Sequence, residues 1–239
     1  MMFRLTALVA AAVVAGCVAS VPSGESPPGV LRLLPAEPGA SVLYVALGDS
    51  TVEGVGASSP ARNYVGRLHE RLRTVYPHAR LMNLGVGGAT ASRVLSRQLP
   101  RALELQPDLV TLSVGPNDIT DKRDLENYAR DIDTILRTLT RRTSAVVVVN
   151  LIPDLTVTPR FSGTEIESRL RQRVVAFNEV LARQARAYGA EVVDLYAASQ
   201  REVPGRPDLI GPDRYHPSDE GYGRWAELMW AGIEARIVR

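Results

Sequence analysis

The chain has 239 residues, 45% of them hydrophobic and 23% charged, which excludes a disordered or fibrous protein and leaves room for one large or two small domains with a buried core. Its 28 Lys and Arg stand against 26 Asp and Glu, with the basic residues scattered instead of bunched into a stripe; that distribution argues against nucleic acid as a partner. A single cysteine, Cys17, excludes an intramolecular disulfide and a Cys-based zinc site, and only His69, His78 and His216 are present, which argues against a multi-histidine metal centre.

The first element is a targeting segment. Leu5 to Ala15 runs apolar behind Arg4, too short to span a bilayer and shaped like the apolar core of a signal peptide. Val14-Ala15-Gly16-Cys17 resembles the bacterial lipobox, which implies cleavage before Cys17 and lipid on its thiol. An ordinary secretory signal with an incidental cysteine is the alternative. Residues 18–41 hold five of the sixteen prolines, a linker composition. The expected organisation is therefore a signal peptide over 1–16, a tether over 17–41 and one folded domain over 42–239, lipid-anchored outside the cytoplasm.

From residue 42 short apolar runs alternate with amphipathic segments. The runs Val42 to Leu47, Arg80 to Leu84, Leu109 to Val114, Ala145 to Ile152 and Glu191 to Leu195 read as strands buried on both faces. Between them, Leu125, Ile132, Leu136 and Leu139, and then Ile166, Leu170, Val174, Phe177, Leu181 and Tyr188, recur at helical spacing. A closing helix from about Ser218 to Val238 gathers Tyr222, Trp225, Met229, Ile233 and Ile237 on one face. Alternating strands and helices imply a three-layer α/β, flavodoxin-like fold: a five-stranded parallel sheet in the order 2-1-3-4-5 with helices on both faces.

In such a sheet the chemistry belongs at the carboxyl ends of the strands, near the switch point. Gly48-Asp49-Ser50-Thr51 follows the first strand, Gly85-Val86-Gly87-Gly88 the second and Gly115-Pro116-Asn117-Asp118 the third, while Asp213-Arg214-Tyr215-His216 lies beyond the fifth. Taken singly, these are turns and helix caps. In this order and at these strand ends they resemble the SGNH hydrolases, also called the GDSL family of esterases and lipases, from Val42 to about Arg239. The resemblance implies that Ser50 is the nucleophile, Gly88 and Asn117 are oxyanion donors, and Asp213 and His216 are the paired acid and base. Gly85 and Gly87 remain rivals to Gly88, and Thr51 replaces the usual Leu or Ile of the first block. It implies no cofactor and no metal, and as substrate a lipid, short-chain acyl or acetylated-glycan ester.

These residue types suit that chemistry. A serine hydroxyl needs a base of near-neutral pKa; an Asp three residues before a His can reach back to its Nδ1 and fix the tautomer. His216 alone of the three histidines has such an acid in a loop. The span from Tyr196 to Asp213 reads as a Pro- and Gly-containing loop, long enough at roughly 3.3 Å per residue to carry the base over about 14 Å of sheet. Asp49 and Asp118 read as loop ties, not catalytic groups. The segment Pro153 to Gly163, with Leu155, Val157 and Phe161, is either an acyl pocket wall or a cover for the sheet edge. No serine sits in Gly-x-Ser-x-Gly, and the glycines miss the dinucleotide pattern. A non-catalytic glycan-binding lipoprotein and an O-acyltransferase are the remaining alternatives on this fold.

Overall fold

The computed structural model describes residues 31–238; the expected signal peptide, Cys17 and most of the expected tether lie outside them. Five strands, β1 (Leu43–Gly48), β2 (Arg80–Asn83), β3 (Leu109–Ser113), β4 (Val146–Asn150) and β5 (Glu191–Val193), pair in parallel in the order β2-β1-β3-β4-β5, as the sequence predicts. Period-2 alternation sends Val45, Leu47, Val147 and Val149 to one face and Tyr44, Ala46, Val146 and Val148 to the other. On the first face pack α3 (Ala91–Arg93), a π-helical turn over Val94–Gln98, α4 (Leu99–Leu105), α6 (Leu125–Arg142) and α7 (Glu167–Ala187). The second is covered by α2 (Tyr64–Val75) and α9 (Asp219–Glu234). Two short helices, α1 (Ser50–Glu53) and α5 (Pro116–Thr120), leave the tips of β1 and β3.

Side-chain caps fix where the long helices start. Asn63 accepts from Gly66 N–H at 2.7 Å, Asp124 from Glu126 N–H at 2.7 Å and Ser218 from Gly221 N–H at 3.1 Å, each satisfying an amide that has no partner in the first turn. Arg141 and Arg142 in the last turn of α6 complement its carbonyl end.

The structure corrects several expectations. Only β1, β3 and β4 are buried on both faces; β2 and β5 are the sheet edges and are half-exposed. Ile166 is the N-cap of α7 and 50% exposed, so it does not share the buried face. The last helix stops at Glu234, and Ile237 instead bridges Leu34 beyond it. The span after Tyr196 is not loop throughout: α8 covers Leu195–Glu202, with Asp194 accepting from Ala197 N–H at 2.9 Å. Residues 31–41 belong to the folded body instead of the tether. Leu34 is buried and donates its N–H to Arg236 O at 2.8 Å, the Arg32 guanidinium donates to the Thr140, Thr143 and Ala145 carbonyls, and Tyr76 O–H donates to Pro35 O at 2.7 Å. Among the described residues no helix is long and apolar enough to cross a membrane.

Candidate active site

The tip of β1 is held unusually tightly. Gly48 sits at φ 149°, and a Cβ there would run into the Ser113 carbonyl, so only glycine fits between the strands. Its N–H donates to Gln98 Oε1 and its carbonyl accepts from Gln98 Nε2, both at 2.8 Å. Asp49 caps α1, its Oδ1 accepting from Thr51 N–H at 2.9 Å and from the Thr51 hydroxyl at 2.8 Å. Thr51 thus gives the cap a hydroxyl that an aliphatic residue at this position lacks. At the other end of α1, the Val52 carbonyl accepts from Asn83 Nδ2 at 2.7 Å and Asn63 Nδ2 at 3.2 Å. Ser50 is the first residue of a four-residue helix clamped at both ends.

Onto it comes the loop before α9. Asp213 Oδ1 accepts from the N–H groups of Tyr215 (3.0 Å) and His216 (2.9 Å), with Arg214 in the left-handed region at φ 65°, and Gly211 N–H closes the turn on His216 O at 2.7 Å. Asp213 Oδ2 lies 2.5 Å from His216 Nδ1. A carboxylate only accepts, so the proton sits on Nδ1 and Nε2 is left free to accept. Nε2 lies 2.9 Å from Ser50 Oγ. Partial burial pushes the Asp213 carboxyl up, but the His216 ring and the two backbone N–H groups outweigh it and hold it below the ordinary carboxylate range. Ser50, His216 and Asp213 therefore form one hydrogen-bonded chain able to move a proton off the serine hydroxyl.

The turns after β2 and β3 flank Ser50, because β1 runs between those strands. Gly85 N–H donates to Asn83 Oδ1 at 2.9 Å and Gly87 N–H to Glu53 Oε2 at 2.6 Å. The Gly88 N–H has no hydrogen-bond acceptor among the described residues, which separates it from its two rivals. Gly88 takes φ 73°, which favours glycine, and the nearest atom to a Cβ there is Arg93 Nη1 at 3.9 Å. Asn117, in α5, donates one Nδ2 hydrogen to Ala89 O at 3.0 Å, tying the two turns together and leaving its second hydrogen for another acceptor.

Asp118 is a tie, as expected. Its Oδ2 accepts from Ala91 N–H at 2.9 Å and its Oδ1 from Arg123 at 2.5 Å, while Arg123 also reaches Asp131 at 2.9 Å. Burial raises its pKa against those bonds. Asp49 is more exposed to the same cost: fully buried, with Oδ2 lacking a hydrogen-bond partner among the described residues, it is pushed up to about 6 by desolvation, against the Thr51 bonds and the charge of His216. His69 Nε2 pairs with Ala79 O at 3.1 Å, and His78 is on the surface. The described residues contain no group of three His, Cys, Asp or Glu suited to a metal ion.

Sequence reasoning missed Gln98, Asn63 and Asn83, which hold the end of β1 and the Ser50 helix through hydrogen bonds. For Gln98 a signal existed: it is the polar member of the stripe Val94, Gln98, Ala102, whose other two are buried apolar. The π-helical turn that ends at Gln98 is a feature that recurs at functional sites. Also missed was the clasp on the histidine loop. Arg160 N–H donates to Arg214 O at 3.1 Å, and its guanidinium lies 5.0 Å from the Tyr215 ring, which meets Phe161 edge-on at 5.7 Å. Of the segment Pro153 to Gly163, Leu155 and Val157 line a cavity that reaches Ser50, while Phe161 packs on Tyr215.

The fold is a five-stranded parallel sheet, and at its carboxyl edge Ser50, His216 and Asp213 are joined by hydrogen bonds. Residues 46–224 match the GDSL-like lipase/acylhydrolase family, and the chain belongs to it, a family of carboxylic ester hydrolases. It is 30% identical over 205 residues to a GDSL-like esterase of Mycobacterium tuberculosis, covering 82% of this chain and 63% of that protein, so it spans under two thirds of that relative. It is 25% identical over 202 residues to an acetylxylan esterase of Geobacillus stearothermophilus, covering 80% and 90% of the two chains. A solved acetyl xylan esterase variant from the same organism, 21% identical, superposes with a TM-score of 0.67 over 84% of this chain and 98% of that one, which shows the fold.

Proposed function

We propose that this chain hydrolyses carboxylic esters through an acyl-serine intermediate at Ser50. What carries the reading is the run of 2.9 Å from Ser50 Oγ to His216 Nε2 and 2.5 Å from His216 Nδ1 to Asp213 Oδ2. His216 takes the serine proton as Oγ attacks the ester carbon, and Asp213 stabilises the imidazolium that forms. The negative charge on the carbonyl oxygen falls to the N–H groups of Ser50 and Gly88 and to the free Nδ2 hydrogen of Asn117. Collapse of the tetrahedral adduct breaks the ester C–O bond, and His216 returns its proton to the departing alkoxide. Water, deprotonated by the same imidazole, then attacks the acyl-serine; the bond from the acyl carbon to Ser50 Oγ breaks, His216 returns the proton to Oγ, and the acid is released.

The test is p-nitrophenyl ester hydrolysis by the described domain. Ser50→Ala and His216→Ala each remove nearly all activity, the double variant is no worse, and EDTA is without effect; full activity in Ser50→Ala overturns the proposal. Acetyl groups on glycans enter as candidate substrates through the 25% identical relative. We further propose that the mature protein begins at Cys17 and is held on a membrane by lipid outside the cytoplasm. That placement rests on the apolar run, Gly16-Cys17 and the Pro-rich segment, and on the stable anchoring that two or more acyl chains provide.

A further inference from the structure

We infer that the cavity beside Ser50 receives the acyl chain of a short fatty ester, four to six carbons long; this rests on the hydrolase reading above. The cavity measures about 110 Å³ and lies between the Pro153 to Thr158 segment, α8, the turn at Leu209 and α9, with Ser50 and His216 in its wall. Its apolar lining includes Leu155, Val157, Ala198, Val203, Trp225 and Leu228. An apolar cavity of roughly 150 Å³ holds a six-carbon ring, so 110 Å³ exceeds what an acetyl group fills and suits about four carbons, with one or two more at the mouth.

Most polar groups in the wall are already engaged, which disfavours a sugar there. Asp154 Oδ1 accepts from the Thr156 N–H and hydroxyl at 2.9 and 2.6 Å, and Oδ2 from Gln200 at 3.0 Å. Ser199 Oγ donates to Tyr196 O and accepts from Asp154 N–H, both at 2.8 Å. Glu202 and Arg224 form a bidentate pair at 2.8 and 3.0 Å. The exceptions among the described residues are Asp49 Oδ2, which is fully buried, and the buried Trp225 Nε1–H, which has no acceptor. Glycan hydroxyls placed in this cavity would lose water and find few partners, the Trp225 indole N–H being the one free donor named here. Arg224 and Leu209 also border a shallow polar surface depression with Arg62, Arg67 and Asp219, so the charged pair and Leu209 form the wall that limits chain length on that side. The acyl group, not the alcohol, is assigned here because it stays on Ser50 through both steps, whereas the alcohol departs and must be replaced by water.

Two half-buried wall residues outside the catalytic set allow a test. Across p-nitrophenyl acetate, butyrate, hexanoate and decanoate, wild-type kcat/KM rises about fifteenfold from acetate to butyrate, as two buried methylenes give, and falls by decanoate. Val203→Phe removes the gain while sparing acetate, and Leu228→Ala moves the optimum to longer chains. A profile flat from acetate to hexanoate, a preference for acetate, or a gain that follows the alcohol in ethyl and butyl acetates overturns the inference. Binding separates it from the hydrolase reading. In Ser50→Ala carrying Trp230→Phe, Trp225 is the only tryptophan, and ethyl hexanoate changes its fluorescence where ethyl acetate does not. If esters were turned over without Ser50, or not at all, the hydrolase reading would fall while this measurement still decided the cavity; an equal response to both esters refutes the cavity assignment.

Discussion

Replacing Gln98 with Leu removes both hydrogen bonds that hold Gly48, two residues before Ser50, while refilling most of the side-chain volume. Gly48 O keeps Val86 N–H at 3.2 Å, but Gly48 N–H has no second acceptor among the described residues. One buried N–H left unpaired costs about 1–3 kcal/mol, and a well-refilled site adds little cavity cost. Urea unfolding should therefore show a midpoint lowered by that free energy divided by the m-value, with the m-value itself unchanged. Gly48 leads directly into the Asp49 cap and Ser50, so the released strand end shifts Oγ against His216 Nε2. An error of about 1 Å in a reacting group costs on the order of a hundredfold, so kcat should fall between tenfold and a hundredfold with KM nearly constant. Gln98→Glu keeps an acceptor for the N–H but sets its second oxygen against the Gly48 carbonyl, and it should fall between the two. Wild-type kcat and unfolding midpoint in Gln98→Leu would refute the reasoning and leave the pairing of β1 with β3 as sufficient to aim the serine.

Asn117→Ala should lower kcat by the equivalent of about 3 kcal/mol with little change in KM, as one oxyanion donor is worth; steady-state kinetics on a variant with native circular dichroism checks it. Asp49→Asn tests the buried cap. The folded-state pKa is raised from 3.8 to about 6, so the stabilisation by this carboxyl is fully present below pH 4 and is lost as pH rises through 6. The variant should gain stability over wild type by about 3 kcal/mol between pH 4 and pH 7, read from paired unfolding curves; a difference independent of pH contradicts the assignment. Cys17→Ser in the native host should abolish lipid attachment and the cleavage before residue 17, so that uncleaved precursor accumulates; the mass of the N-terminal peptide is the check, and an unmodified thiol at residue 17 in the wild type contradicts the anchor.

Local sequence carried the architecture wherever the physics is local. Val146 to Asn150 reads as a central strand because nothing but burial on two faces suits four consecutive valines, and Ser218 announces α9 by its own cap. The Asp213 to His216 pair is legible because its geometry closes within one turn. The turns of Gly88 and Asn117 were placed by resemblance, and only the structure shows that Gly85 and Gly87 spend their amides elsewhere. What stayed hidden depends on distant partners. Leu34 lies in a proline-rich stretch and is buried where the far end of the chain meets it, its N–H donating to Arg236 O and its side chain joining the cluster that contains Ile233. Leu81 and Met82 are apolar in composition yet half-exposed, since a strand's pattern does not state that it will be the edge. α8 was obscured by Pro204, Gly205 and Pro207 just behind it.

The most direct test of the account is capture of the intermediate. The domain is mixed with p-nitrophenyl butyrate, quenched in acid within the first turnover and digested, and the peptide containing Ser50 is weighed. The account predicts a butyryl adduct on Ser50 that forms with a burst of p-nitrophenol, decays with the steady-state rate and is absent from Ser50→Ala. Steady hydrolysis with no acylated Ser50 peptide, or an adduct on another residue that persists in Ser50→Ala, would contradict it.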